Sequence, residues 1–582
     1  MHPPSSLLAK MLAVLASFSL LAFLPTISGA PNILFVVGES TDGRLLRDDS
    51  PIPLPNVNAL KKAGVWFDAA YSNSPVCAPS RSSFWSGRAP HKIPHSNNGF
   101  LVKGVWNNYE GLTPEYMNST LDALLAAHGY DVELLGKMDR TVDSHTLTDR
   151  LESLTHNVDF PFNISGWGGW NCEGNMCSSQ GFVGAGGSGG PNGSLYAGDW
   201  KAVKTGTDFI RSHATNCSGG SSGAPWFTFQ GTNIVHPAYS TNQYWYDRID
   251  PSRVTLPTWA PLEAMHPCDV QSSMLKGCTP PQAAQANFSD PARLARVIRI
   301  HYATLAEWDA MLGEYIAAVR ESGQWECTTF VVAADHGDLH MEHRSFYKMS
   351  AFEGSAHVPL IVAGAGVAPS VQGTAVATPV SLLDVMPTVL ALAGAPGAAW
   401  ADGYDLGPFL SGAPADPLRP SFVVSQNADS DGGQVWFMVR HSSAAWGELK
   451  MIVWGSGAEN PLIVYNLTAD PDELDNVADT IGADALATLD AALRSVVDYP
   501  SVAHDVAEYG HQQFQFWANK TGANWTEVVG SSAVRWSEAF QKSPILAKKA
   551  FVDFYNGGYN GSPAGIKPCR GGNAWPPAGG EL

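Results

Sequence analysis

Charge is scarce in this sequence, and basic charge scarcer still: 15% of its 582 residues are charged, with 35 Lys and Arg against 54 Asp and Glu. The formal net charge of -19 repels nucleic acid and anionic membrane at long range, which disfavours a polyanion-binding surface. A small anionic substrate is not excluded, because a few cations converging in one pocket reverse the field locally. Membrane-length apolar runs are missing too. The run at residues 11–24 is shorter than the roughly 20 residues that span a bilayer, and no later segment replaces it. Cysteine is sparse, eight in all, so the chain is no small disulfide scaffold. No internal repeat is present.

What is there is a globular balance. Hydrophobic residues make up 45%, and the length accommodates one large domain and at least one smaller one. Lys10, the apolar run, Pro25 and the small residues Ser28, Gly29 and Ala30 read as a signal peptide over residues 1–29, with no membrane span in the mature chain. Sequons at Asn118, Asn163, Asn192, Asn216, Asn287, Asn466, Asn519, Asn524 and Asn560 agree with a secretory route, lysosomal or extracellular. In an oxidising compartment Cys172/Cys177 and Cys268/Cys278 are plausible disulfides.

Strand-like apolar runs at residues 33–37, 132–135, 226–229 and 329–334 stop at Gly38-Glu39, Gly136-Lys137, before Asn233, and at Asp335. Helical stretches at 121–127 and 292–320 lie between them, so the pattern is alternating β and α, an open sheet of buried parallel strands. Residues that end parallel strands converge at the carboxyl edge, which gathers Glu39, Lys137, His236 and Asp335 into one expected pocket. From about residue 420 shorter alternating strands, 435–440, 449–454 and 462–465, predict a small antiparallel subdomain. The expected domains are 30–420 and 421–545, with an irregular tail over 546–582. The Gly-rich stretch 181–193 reads as a surface loop.

Cys77-Ala78-Pro79-Ser80-Arg81, followed by Gly87-Arg88, fits the pattern C-x-P-S-R-x(5)-G-R. On these residues the chain resembles the sulfatase family, in whose members this cysteine is oxidised to formylglycine in the secretory pathway. The resemblance implies an alkaline-phosphatase-like large α/β domain with a mixed, mostly parallel sheet and a smaller C-terminal antiparallel subdomain. It also implies sulfate-ester hydrolysis. One hydroxyl of the aldehyde hydrate attacks sulfur and the other later expels sulfate, whereas an ordinary Ser would be left as a stable ester. Residues 80–87 open a helix whose amino-terminal dipole favours anionic charge. A formylglycine-generating enzyme is the implied maturation partner.

The resemblance further implies one divalent ion, usually calcium, held by Glu39, Cys77, Asp335 and His336, with Asp42 a substitute ligand. Most relatives carry Asp-Asp where this chain has Glu39-Ser40. Lys137 of the Gly-Lys pair, His236 and Lys348 are the implied sulfate contacts, and Arg81 orients the nucleophile and metal ligands. Where many members have His two residues after the lysine, this chain has Asp139; His145 is either the replacement general base or a solvated loop histidine.

Further stretches, among them Trp106-Asn107-Asn108, Met265-His266-Pro267, His343-Arg344 with Phe346-Tyr347-Lys348-Met349-Ser350, and Pro471-Asp472-Glu473-Leu474, are similar to one lysosomal branch of the family. That branch removes the 2-sulfate of glucuronate from sulfated glycosaminoglycans and also acts on aryl sulfates. Sulfated carbohydrates or aryl sulfates are therefore the implied substrates. Two alternatives stand beside this: a phosphate mono- or diester hydrolase of the same superfold, whose nucleophile is normally Ser or Thr, and a silent sulfated-glycan-binding protein.

Overall fold

A computed structural model of the chain describes residues 29–509, apart from 98–99, 107, 109, 142–181, 185, 187–189, 214–223, 237–238, 262, 271–290, 429–434 and 459. Its centre is a seven-stranded sheet. The strands are β1 (Asn32–Gly38), β2 (Gly64–Phe67), β3 (Asp131–Gly136), β4 (Trp226–Gly231), β5 (Thr328–Ala334), β6 (Leu360–Gly364) and β7 (Thr374–Val376). Their spatial order is β7-β2-β6-β5-β1-β4-β3. β3, β4, β1 and β5 pair in parallel, whereas β6 runs antiparallel to both β5 and β2. The sheet is thus mixed and mostly parallel, an alkaline-phosphatase-like architecture, and the four strands that carry the site form its uninterrupted parallel half.

Both faces of β1 are covered, so its residues form an unbroken apolar run instead of an alternating one. Leu34 and Val36 pack under the long helix Pro291–Glu321; Ile33, Phe35 and Val37 pack with Phe84, Trp85 and Phe229 on the other face. The stretch at residues 181–193 departs from a plain loop. Phe182–Gly184 forms a short strand that pairs in parallel with Ser240–Asn242, a long-range contact that glycine-rich composition conceals.

A second sheet of four antiparallel strands follows: β8 (Phe422–Ala428), β9 (Val435–Ser443), β10 (Gly447–Trp454) and β11 (Ile463–Asn466). It too is buried on both faces. Val435, Phe437, Val439 and Val453 pack against the helix Ala483–Val496, while Trp436, Met438, Ile452 and Trp454 pack against Tyr71, Ala351 and Phe352 of the large domain.

One buried ionic cluster crosses that second interface. Lys450 Nζ lies 2.6 Å from Glu353 Oε1 and 2.8 Å from Glu473 Oε1, and donates to Ala351 O at 3.0 Å. Glu473 Oε2 accepts from the Glu353 amide at 2.7 Å, and the Tyr71 hydroxyl donates to Glu353. One lysine cannot neutralise two buried carboxylates. Burial pushes both up; Lys450, His357 and Arg440 bring Glu353 well below the carboxylate range, while Glu473, beside the Glu353 charge, is lifted to about 7.

Because the folded pKa of Glu473 is raised, its contribution to stability is full below the ordinary glutamate value and is lost as pH rises through about 7. Glu473→Gln keeps a neutral side chain throughout. Between pH 5 and pH 8 the wild-type protein should lose roughly 2–5 °C more in Tm than this variant, measured by thermal unfolding. Identical pH dependence in the two proteins would contradict the assignment.

Candidate active site

The segment that opens with Cys77 folds as the helix Cys77–Ser86, three residues earlier than the Ser80 start read from the sequence. Every residue of this helix is buried. Pro79 sits in the first turn, where the missing N–H costs nothing. Ser80 Oγ donates to the Asp335 carbonyl at 2.7 Å, a bond that Ser72 Oγ duplicates at the same distance. Gly87 ends the helix in the left-handed region at φ 70°, and a Cβ there would meet Met386 Sδ at 2.5 Å. Pro79 and Ser80 of the motif therefore fit and anchor the first turn and Gly87 ends the helix, leaving Cys77 at its amino end.

Arg81 makes three directed bonds from one buried guanidinium. Nε donates to Asp335 Oδ2 at 2.8 Å, Nη2 to Glu39 Oε2 at 3.1 Å and Nη1 to the Lys137 carbonyl at 2.8 Å. It thereby ties together the ends of β1, β5 and β3, and all three side chains of the Glu39–Arg81–Asp335 set are fully buried. Lys137 follows Gly136, whose φ is 76° and whose Cβ would lie 1.8 Å from the Gly231 carbonyl of β4. Only glycine lets β3 deliver its lysine here.

Around Cys77 Sγ stand Glu39 Oε1 at 3.2 Å, His336 Nε2 at 3.5 Å, Lys137 Nζ at 3.5 Å and, in contact, Lys348 Nζ. Lys137 also reaches Glu39 Oε2 at 2.9 Å and Asp139 Oδ2 at 3.4 Å, and Lys348 lies 3.6 Å from Glu39 Oε1. His336 Nδ1 lies 2.9 Å from the Gly337 carbonyl and is therefore the donating nitrogen, which turns Nε2 toward Glu39, 3.1 Å away. Glu39, Cys77, Asp335 and His336 each present a ligand atom, all within 4.8 Å of one another.

The electrostatics follow from that crowding. Burial drives the Glu39 carboxyl up, but Lys137, Lys348 and His336 outweigh it and hold the group well below the carboxylate range. Burial and the Glu39 charge push the Cys77 thiol up; the two lysines and the His336 hydrogen bond bring it down to about 7. Burial, reinforced by Glu39, lifts Asp335 to about 6 despite Arg81. Burial disfavours the His336 cation, yet Asp335 and Glu39 raise it to about 9.

Of the residues singled out from the sequence, Glu39, Cys77, Arg81, Lys137, Asp335, His336 and Lys348 share this one cluster. His236 is half-buried after β4, with its Nε2 2.5 Å from the Tyr347 hydroxyl, one residue from Lys348. Asp42, weighed as a substitute ligand, instead binds Arg44 through both carboxylate oxygens. His145 and Cys278 lie outside the described residues, as do Cys172 and Cys177. Cys327 is disulfide-bonded. Tyr347 carried no signal in the sequence beyond its place next to Lys348. It is fully buried, and burial with the nearby Cys77 and Glu39 charges holds its phenol protonated.

Comparison with known proteins gives a concordant picture. A family model described as Sulfatase matches residues 31–395. Arylsulfatase K of Xenopus laevis is 34% identical over 535 residues, covering 88% of this chain and 90% of that protein. Arylsulfatase K of Gallus gallus is 33% identical over 561 residues, covering 93% and 96%. Among solved structures, the phosphonate monoester hydrolase of Agrobacterium radiobacter superposes with a TM-score of 0.60 at 21% identity, over 81% of this chain and 96% of that one, a likeness of fold.

Removing Arg81 strips two buried carboxylates of their shared partner. Arg81→Met should therefore destabilise the protein by about 3–5 kcal/mol in denaturant unfolding, far more than the loss of one surface ion pair. A change under about 1 kcal/mol would show that the cluster does not depend on the guanidinium.

Proposed function

The chain belongs to the sulfatase family and is a sulfuric ester hydrolase of the arylsulfatase type, and from that premise we propose that it removes sulfate from sugars through a formylglycine made from Cys77. The proposed natural ester is a uronate 2-sulfate at a chain end, with aryl sulfates as accepted surrogates. One observation carries the reading: a cysteine at a helix amino terminus is enclosed by Glu39, Lys137, His336 and Lys348, every one within reach of its sulfur. A structural thiol needs no such company; a polar diol in its place would be hydrogen-bonded on all sides.

Formylglycine supplies, as its hydrate, a hydroxyl that attacks sulfur and a second through which sulfate is released. The residues present fit a divalent cation. Glu39, Asp335, His336 and the residue-77 side chain would hold it, and the two carboxylates suit a hard ion such as calcium. When bound, that ion polarises sulfate oxygens as a Lewis acid. Arg81 keeps both carboxylates aimed inward, so the site is organised before substrate arrives.

Lys137, Lys348 and His236 form the proposed sulfate clamp. Their cationic and N–H groups meet the charge that moves onto oxygen as the ester bond breaks, in a buried setting where such contacts gain strength. The secretory pathway is the proposed route, lysosomal or extracellular, with the formylglycine-generating enzyme acting on the way. The disulfide at Cys327 and the exposed positions of Asn118 and Asn192 within sequons support that route.

Steady-state hydrolysis of p-nitrophenyl sulfate and p-nitrophenyl phosphate by the matured protein tests the reading. We expect kcat/KM to favour the sulfate by at least about tenfold, and Cys77→Ala to abolish turnover while its unfolding midpoint stays close to wild type. A preference for phosphate, or undiminished turnover in Cys77→Ala, would sink it.

A further inference from the structure

The loop after β5 has an unusual backbone. His340, Met341, His343, Arg344, Tyr347 and Met349 all lie at positive φ, between 48° and 73°, although none is glycine. Such residues persist only where surrounding contacts over-determine them. Here the Asp338 carboxylate does so: Oδ1 accepts from the His340 amide at 3.0 Å and the Tyr347 amide at 3.1 Å, and Oδ2 accepts from the Tyr239 hydroxyl at 2.6 Å. The Tyr347 carbonyl accepts from Leu339 N at 2.9 Å, and Met349 N donates to Pro75 O at 3.1 Å. The outcome of this backbone is the placement of one ring.

That ring touches both arms of the clamp. The Tyr347 hydroxyl is 2.5 Å from His236 Nε2, with the two rings edge-on at 5.2 Å and 77°. Lys348 Nζ stands 4.3 Å from the centre of the same ring, within cation–π range. His236 comes from a different segment, whose backbone is fixed separately by Asp199 through the Asn233 and Ile234 amides, each at 2.9 Å. Lys348 Nζ is in turn held against Cys77 Sγ and 3.2 Å from His336 Nε2, so the imidazole and the ammonium come from separately fixed segments and both touch this one ring.

We propose that Tyr347 is a positioning residue that locks the His236 imidazole through its hydroxyl and seats the Lys348 ammonium on its ring face, making the two arms one preorganised sulfate-binding unit. This rests on the sulfate-clamp reading of His236 and Lys348. Tyr347 acts through those two residues and has no bond-making role of its own. Preorganisation of this kind matters because a clamp held in the geometry of the transition state does not have to be reorganised during reaction.

A double-mutant cycle separates this from a packing role. Wild type, Tyr347→Phe, His236→Ala and the double variant are compared by kcat/KM on p-nitrophenyl sulfate, with Tm measured for each. Tyr347→Phe keeps the ring and removes the hydroxyl; it should lower kcat/KM by about 10–100-fold, the loss expected when a buried hydrogen-bond partner is removed. In the His236→Ala background the same change should cost less than about twofold. Equal losses in both backgrounds, or no loss in the first, would overturn the inference while leaving the sulfatase reading intact. A wild-type protein that turns over no sulfate ester would instead sink that reading, and this inference with it. Should Tyr347→Phe fail to fold, Tyr347→Leu, which removes the hydroxyl and the ring face together, takes its place: its loss in kcat/KM should be smaller in the His236→Ala background than in wild type, with the Lys348 share remaining, and equal losses in the two backgrounds would overturn the inference.

Discussion

The guanidinium of Arg81 is the contact on which the site depends. Two carboxylates, Glu39 and Asp335, are carried to full burial at the ends of adjacent parallel strands, and only a buried planar cation with several fixed donors can face both while also gripping the backbone at Lys137. Without it the carboxylates would repel each other in a poorly solvated pocket, and the sheet edge would have to open to water. With it, negative charge is concentrated beside Cys77 and cations gather around that: Lys137, Lys348 and His336. The chain's overall negative charge is thus reversed at one point, which is what an anionic ester requires.

Burying so many charges is expensive, and the structure meets the cost by spreading the work across distant segments. The helix that opens with Cys77 is anchored on the Asp335 carbonyl, the loop after β5 on Asp338, and the segment following Lys348 on the second sheet through Lys450 and Glu473. The four-stranded sheet therefore does more than cover an apolar face. It fixes Ala351 and Glu353, only a few residues beyond Lys348, so the position of that lysine is set from both sides.

Much of the large sheet was legible because buried parallel strands are continuous apolar runs, and the strand-end rule grouped Glu39, Lys137, His236 and Asp335, of which His236 stands apart, against Tyr347. The reversed strand β6 and its partner β2 were not read, since short buried strands lack the alternation that marks direction or pairing. The motif marked out the neighbourhood of Cys77 but put the helix start late, because Pro79 looks like a boundary until its first-turn position is seen. The contacts of Tyr347 and of the Glu353–Lys450–Glu473 cluster could not be read for a deeper reason. Most of these contacts join residues about 100 or more positions apart, which no local pattern encodes.

The proposed chemistry requires Cys77 to be more than a thiol, and that can be measured on the residue itself. Mass spectrometry of the tryptic peptide containing Cys77, from protein expressed with and without the formylglycine-generating enzyme, reports the fraction converted from thiol to aldehyde. The account predicts substantial conversion with the maturing enzyme and turnover of p-nitrophenyl sulfate that rises in proportion to the converted fraction. An intact thiol in a preparation that hydrolyses sulfate esters at full rate would contradict it.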